Sequence, residues 1–196
     1  MMGEYSSVNI LDMIDAIGEE ALAGILSDFS CPENKEIETF VKYKAIDFAK
    51  RKISITHLLI DNASGEIVSI FTLAHKALEI SREALSITSR KKLSRFAHLD
   101  ENNDSYTVSA FLIAQFGKNY AVAESDDWNG VRLMEKTFET LEKVQREIGG
   151  GVVYLECEDK PNLLKFYQNP NNRFYPFDER YSEVDDTKYI QLLRFF

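Results

Sequence analysis

The carboxylates Glu156 and Glu158 alternate with apolar neighbours in Val152-Val-Tyr-Leu-Glu-Cys157 and the residue that follows. In a strand this alternation puts both on one face with Tyr154, opposite Val153, Leu155 and Cys157. Either carboxylate can take up a proton, directly or through water. Either serves equally well as a structural acid at the end of a strand. Cys157 lies among apolar residues with no activating partner nearby in sequence, which argues against a nucleophile. Cys31 is distant, and the two cysteines lack metal-type spacing, so both read as buried apolar fillers rather than a disulfide. His57, His75 and His98 share no spacing with a nucleophile or a metal site; no metal is expected. Lys76, Arg82, Arg90, Lys91, Lys92 and Arg95 form a basic run that can touch phosphates or simply form a solvated helix face.

These groups need a scaffold, and the pattern supplies one. Residues 8–29 read as a strand and a helical turn. Ser30-Cys31-Pro32-Glu33 reads as a helix start, with proline in the first turn and acids close behind. Ile37, Phe40, Val41, Ala45, Phe48 and Ala49 then recur at helical spacing as far as Arg51. Residues 53–60 and 67–73 are β-rich runs joined by Asp61-Asn-Ala-Ser-Gly65, a hairpin. Residues 76–104 suggest one or two short helices. Residues 106–116 (YTVSAFLIAQF) suggest a strand buried on both faces. A long helix follows, with Val131, Met134, Phe138, Leu141, Val144 and Ile148 as its buried stripe, ended by Gly149-Gly150-Gly151. With the strand at 152–157 it makes a parallel βαβ unit. A short helix (161–168) and a final strand (188–196) complete the chain. That last strand, read as an exposed edge, motivates the expectation of a homodimer.

Composition bounds the rest. A 196-residue chain with 44% hydrophobic and 28% charged residues is expected to fold as one domain, residues 1–196. Its net charge of -9, from 32 acidic and 23 basic side chains, disfavours a broad phosphate-tracking surface. The opening MMGEYSSVNI lacks the layout of a secretion signal, and no apolar run nears the roughly 20 residues of a membrane span. A cytoplasmic location fits.

Hairpin, central strand, glycine-capped helix, strand, then a short helix ending in Phe-Tyr: this order resembles the GNAT acetyltransferases, from about Phe29 to Phe196. Phe29-Ser-Cys-Pro-Glu followed by a helix and Ile67-Val-Ser-Ile-Phe-Thr-Leu is similar to the branch that includes bacterial toxin-type enzymes. Phe111-Leu-Ile-Ala-Gln-Phe-Gly-Lys-Asn119 and Leu155-Glu-Cys-Glu-Asp159 look like bacterial members of the family. The resemblance implies an α/β fold, a mixed central sheet flanked by helices, with acetyl-CoA as co-substrate. It implies that backbone groups of Ile113, Ala114, Gln115 and Phe116 hold the pantetheine arm. Amides of Asn129, Gly130, Val131 and Arg132 at the long helix's start would meet the pyrophosphate, where unpaired N–H groups and the helix dipole favour an anion. Lys118 and Arg132 add positive charge, Arg132 reading equally as a solvated helix residue. The chain departs from the family's glycine-rich loop: Gly117–Gly130 is longer, has one glycine at the helix start, and carries Glu124, Asp126 and Asp127.

The resemblance also makes Tyr167 the acid that protonates the departing thiolate, since a phenol titrating near pH 10 stays protonated at neutral pH. A packing tyrosine at the cleft edge is the alternative. The family's short loop ending Gly-Phe is replaced by Gln168-Asn-Pro-Asn-Asn-Arg-Phe174. Glu156, or Glu158, is the candidate base for the incoming ammonium. The implied function is N-acetyl transfer to a primary amine by direct attack in a ternary complex. The alternatives are a toxin-type enzyme acting on aminoacyl-tRNA, and a weakened GNAT-fold protein that binds a ligand or partner.

Overall fold

The computed structural model describes residues 5–122, 128–183 and 186–196. Two units emerge: the chain through Ala74 together with Ile113–Glu142, and His75–Leu112 together with Lys143–Phe196.

In the first unit, β1 (Tyr5–Asn9) runs antiparallel to β2 (Ile55–Asp61), which pairs antiparallel with the first half of β3 (Ile67–Ser81). The second half of β5 (Ser105–Lys118) lies beside β3, and Asn119 N–H continues the ladder to the Val68 carbonyl at 2.9 Å. Asn9 caps α1 (Ile10–Ile17) by accepting from Leu11 N–H, and Gly18, at φ +86°, turns the chain into α2 (Glu19–Ser27). The next helix starts later than the sequence suggests. Asn34, not the Ser30–Pro32 stretch, caps α3 (Lys35–Tyr43) by accepting from Glu36 and Ile37 N–H. The apolar stripe to Arg51 is broken at Lys44, and α4 (Ala45–Lys50) follows. Ile10, Leu22, Phe29, Phe40 and Ala49 pack with Leu58 and Ile70 as one core. Alternation sends Leu59 and Phe71 to a second core with Tyr5, Val68, Trp128 and Leu133.

In the second unit the strand order is β3, β5, β6 (Val152–Glu158), β8 (Thr187–Phe195), β7 (Tyr175–Ser182), with β4 (Leu99–Asp100) also on β5. The β5–β6 pairing is parallel and the β6–β8–β7 pairings antiparallel, so the sheet is mixed as expected. α5 (Ile87–Leu93) contributes Leu93 to a core with Leu78, Ile80, Val108, Ala110, Phe177 and Leu193. α7 (Pro161–Tyr167) follows β6.

Several expectations need correction. β8 is not an edge: β7, a strand that the sequence pattern does not predict, covers it, so β8 offers no open edge for a homodimer. β7 reads as YPFDERYS, with Phe177 its only buried residue; its proline and charges suit a protected edge and hide its period. The N-terminal half of β5 is not buried on both faces, because Thr107 and Ser109 are exposed. In α6 (Gly130–Ile148) the buried residues are Leu133, Met134, Thr137 and Leu141, whereas Val131 and Ile148 are exposed. Thr137 escapes an apolar search because its hydroxyl donates within the helix to the Leu133 carbonyl at 2.8 Å.

Candidate functional site

The residues expected to hold a cofactor fall in the first unit. Along β5, Ile113 is buried, Ala114 exposed, and Gln115 and Phe116 half-buried. The parallel β5–β6 register consists of Phe111 opposite Val153 and Leu112 opposite Tyr154, and β5 runs on from there to Lys118. Lys118 is half-buried, its Nζ 5.6 Å from the centre of the Tyr120 ring. At the start of α6, Asn129 Oδ1 accepts from Val131 N–H at 3.0 Å and Arg132 N–H at 3.2 Å. The helix therefore caps two of its own free amides, and an arriving anion must displace that side chain. Gly130 is exposed and Arg132 half-buried. Glu124, Asp126 and Asp127 lie outside the described residues.

Two positioning residues escape the sequence reading. Asn119, buried, donates from Nδ2 to the Ile67 carbonyl at 2.8 Å and accepts on Oδ1 from Ser30 and Ala121 N–H. Trp128, also buried, donates from Nε1 to Ser69 Oγ at 2.6 Å and tilts over Tyr5 with ring centres 4.3 Å apart. They fix the end of β5 and the approach to α6. Being the chain's single tryptophan, directly before the helix start, was the signal available for Trp128.

The candidate catalytic residues fall in the second unit. Tyr167 closes α7, 7% exposed, with its ring 5.1 Å from Phe166 and 6.0 Å from Phe174. Burial, then the neighbouring Cys157, pushes its phenol well above the ordinary value, so it holds its proton throughout the neutral range. The loop after it lacks glycine but is held by asparagines. Asn169 Oδ1 accepts from Asn171 and Asn172 N–H, and Asn169 and Asn172 both donate through Nδ2 to the Phe166 carbonyl. Arg173 adopts φ +55°, the left-handed conformation that a glycine would otherwise supply, and Phe174 after it is fully buried.

Glu156 accepts from Arg180 Nη2 at 2.7 Å and from Gln191 Nε2 at 2.5 Å. Burial opposes its ionisation, but these hydrogen bonds and the Arg180 charge outweigh it, holding the carboxyl below its ordinary range. Glu158 is paired with Lys160. Cys157 is buried, and desolvation with the acids Asp159 and Glu158 raises its thiol to about 11, which keeps it unreactive. Cys31 is likewise a free, buried thiol. Of the histidines, His57 stacks on Phe71, His75 shares a 2.9 Å hydrogen bond with Ser109, and His98 is exposed. Among the described residues no cluster of histidine, cysteine and acid side chains suits a metal, and no helix is long and apolar enough to cross a membrane.

No protein-family model and no curated protein sequence matches the chain. Solved structures do. A structure of AtaT complexed with acetyl-methionyl-tRNAfMet is similar at TM-score 0.66 and 15% identity, covering 98% of this chain and 94% of that one. AtaTR bound with AcCoA is similar at TM-score 0.59 and 13% identity, covering 98% and 93%. A tyrosine-to-phenylalanine variant of KacT is similar at TM-score 0.63 and 14% identity, covering 95% and 94%. With its mixed sheet, its helix-linked parallel strand pair and this whole-chain likeness, the protein has the fold of the toxin-type GNAT acetyltransferases.

Proposed function

We propose that this chain is an acetyl-CoA-dependent N-acetyltransferase whose acceptor is the amino group of an aminoacyl-tRNA. The sequence led first to an unspecified primary amine. The observation that moves the reading is the likeness over 98% of the chain to AtaT in its complex with acetyl-methionyl-tRNAfMet. Backbone groups of Ile113–Phe116, beyond the short β5–β6 ladder, hold the pantetheine arm. The start of α6, with Lys118 and Arg132, receives the pyrophosphate. The acceptor's free amine attacks the thioester carbonyl, the C–S bond breaks, and the Tyr167 phenol donates its proton to the departing sulfur. Positioning by the strand and polarisation of the carbonyl by a backbone N–H supply much of the acceleration. Glu156 is the candidate base, but its pairing with Arg180 and Gln191 supports the structural role, leaving water to take the ammonium proton.

A second reading, a weakened GNAT-fold binding protein, is favoured by one observation: Asn129 already occupies two amides of the helix start. Calorimetry with acetyl-CoA on the wild type and on Gly130→Glu, followed by transfer of labelled acetyl to charged tRNA, separates the two. Micromolar binding that the variant loses, with label appearing on the amino acid, supports the enzyme. Binding without transfer to any amine leaves the binding protein. Absence of acetyl-CoA binding removes both the cofactor site and the enzyme.

A further inference from the structure

The second unit contains a groove that the acetyl-transfer reading leaves without a role. It lies between α5 with its preceding loop and the start of β7 and end of β8, and its volume is about 370 Å³, within the roughly 300–1,000 Å³ of small-ligand sites. Leu193, Phe177 and Phe195 make an apolar, partly aromatic floor, and Tyr175 stands at its side, 48% exposed. Ser89 and Lys92 line the α5 side, the Lys92 ammonium lying 5.5 Å from the centre of the Phe195 ring. From Ala84 to Leu99 the sequence holds four cations, Arg90, Lys91, Lys92 and Arg95, and no acid, in a chain of net charge -9. Elsewhere the cations are commonly neutralised: Arg82 by Asp104, Arg180 by Glu156, Lys188 by Asp159 and Glu179. Among the described residues none of those four forms an ion pair; Arg90 uses its Nε on the Leu85 carbonyl at 2.9 Å.

An exposed ring beside an apolar slot, hydroxyls on one side and the ammonium of Lys92, which has no ion-pair partner among the described residues, in the lining fit an aromatic base attached to a phosphate. We propose that this groove binds an unpaired nucleotide of a single-stranded RNA, its base against Tyr175 and the aromatic floor, its phosphate against Lys92. The inference rests on the aminoacyl-tRNA reading, whose acceptor ends in RNA, and adds to it a nucleotide site built by α5 and the β7–β8 hairpin. Lys92 then acts as a phosphate contact despite the acidic balance of the whole chain, because screening confines each charge's reach to about 10 Å.

The test is fluorescence anisotropy of a labelled oligoadenylate hexamer on the full chain, across a salt series. Tyr175→Ala is expected to weaken binding about tenfold, the loss of one base–ring stack. Lys92→Gln is expected to weaken it and to lower the salt slope by about 0.7. Lys188→Gln, which removes a cation already paired with acids, should change neither, and unchanged acetyl-CoA affinity in all three variants shows that they fold. Hexamer binding that persists while wild type acetylates no charged tRNA upholds the groove and sinks only the acceptor assignment. The groove proposal is overturned if wild type fails to bind the hexamer at about 100 µM, the weak end of non-specific affinity. It is equally overturned if Tyr175→Ala leaves hexamer binding intact but turns a dimer into a monomer, which would make the groove a self-interface.

Discussion

Tyr167 carries the chemistry in this reading, and its surroundings make two outcomes measurable. In Tyr167→Phe the ring keeps its place between Phe166 and Phe174, so the fold should survive. Loss of the proton donor should lower kcat by about 10²–10⁴ with acetyl-CoA affinity unchanged, read by thiol release and calorimetry. The elevated phenol also predicts that kcat shows no fall assignable to this residue as pH rises to about 10. Cys157 supplies a stability test. Its thiol is raised from 9.0 to about 11 in the fold. The associated stability is complete below the unfolded value and is lost as pH rises through about 11. The loss should approach on the order of 2 kcal/mol in denaturant titrations and be absent in Cys157→Ala. Arg173 offers the reverse experiment. Arg173→Gly should stabilise the chain by about 1 kcal/mol, since glycine adopts φ +55° without the Cβ penalty. The candidate tyrosine came from the family resemblance, which points to Tyr167 in Leu164-Lys-Phe-Tyr167. That an arginine takes the glycine's conformation was not legible, because a left-handed residue without glycine leaves no mark in composition.

At the scale of elements, the two ends of α6 are the informative points. Asn129→Gly should cost only a few tenths of a kcal/mol, as glycine caps tolerably, while freeing the Val131 and Arg132 amides. Acetyl-CoA should then bind more tightly than to the wild type; weaker binding would show that Asn129 assists the anion rather than competing with it. At the other end, Gly150 has φ +104°, and a Cβ there would stand 2.8 Å from Cε2 of Phe111, which is buried. Gly150→Ala should therefore destabilise the protein by about 1–2 kcal/mol in urea unfolding. The glycine run was readable as a helix exit, and so was the parallel pair on either side of α6. β7 was not readable. An edge strand with one buried residue has almost no hydrophobic period, and without it the sequence leaves its partner β8 at the edge. The stripe of α6 was also misplaced at both ends, since periodicity locates a face but not how far the neighbouring sheet covers it.

For the molecule as a whole, the two units share β3, β5 and α6, whose residues pass from one unit into the other. Unfolding should therefore be a single cooperative transition by circular dichroism and by Trp128 fluorescence, with coincident midpoints. Acetyl-CoA at about 100 times its Kd should raise the stability by about 2.7 kcal/mol. Separate transitions by the two probes would divide the chain into independently folding parts. The order of most elements, the hairpin and the parallel βαβ unit followed from local signals, and the mixed sheet from the family resemblance: period, capping residues and glycine placement act within a few positions. Only the tertiary structure decided which strand is the edge, that Glu156 is held by Arg180 and Gln191, and that Tyr167 is buried against Phe174. The same holds for the pins at Asn119 and Trp128, whose partners Ile67 and Ser69 lie more than fifty residues away. Those facts depend on which distant side chain arrives as a partner, and burial and pairing of polar groups are properties of the packed chain that no local pattern encodes.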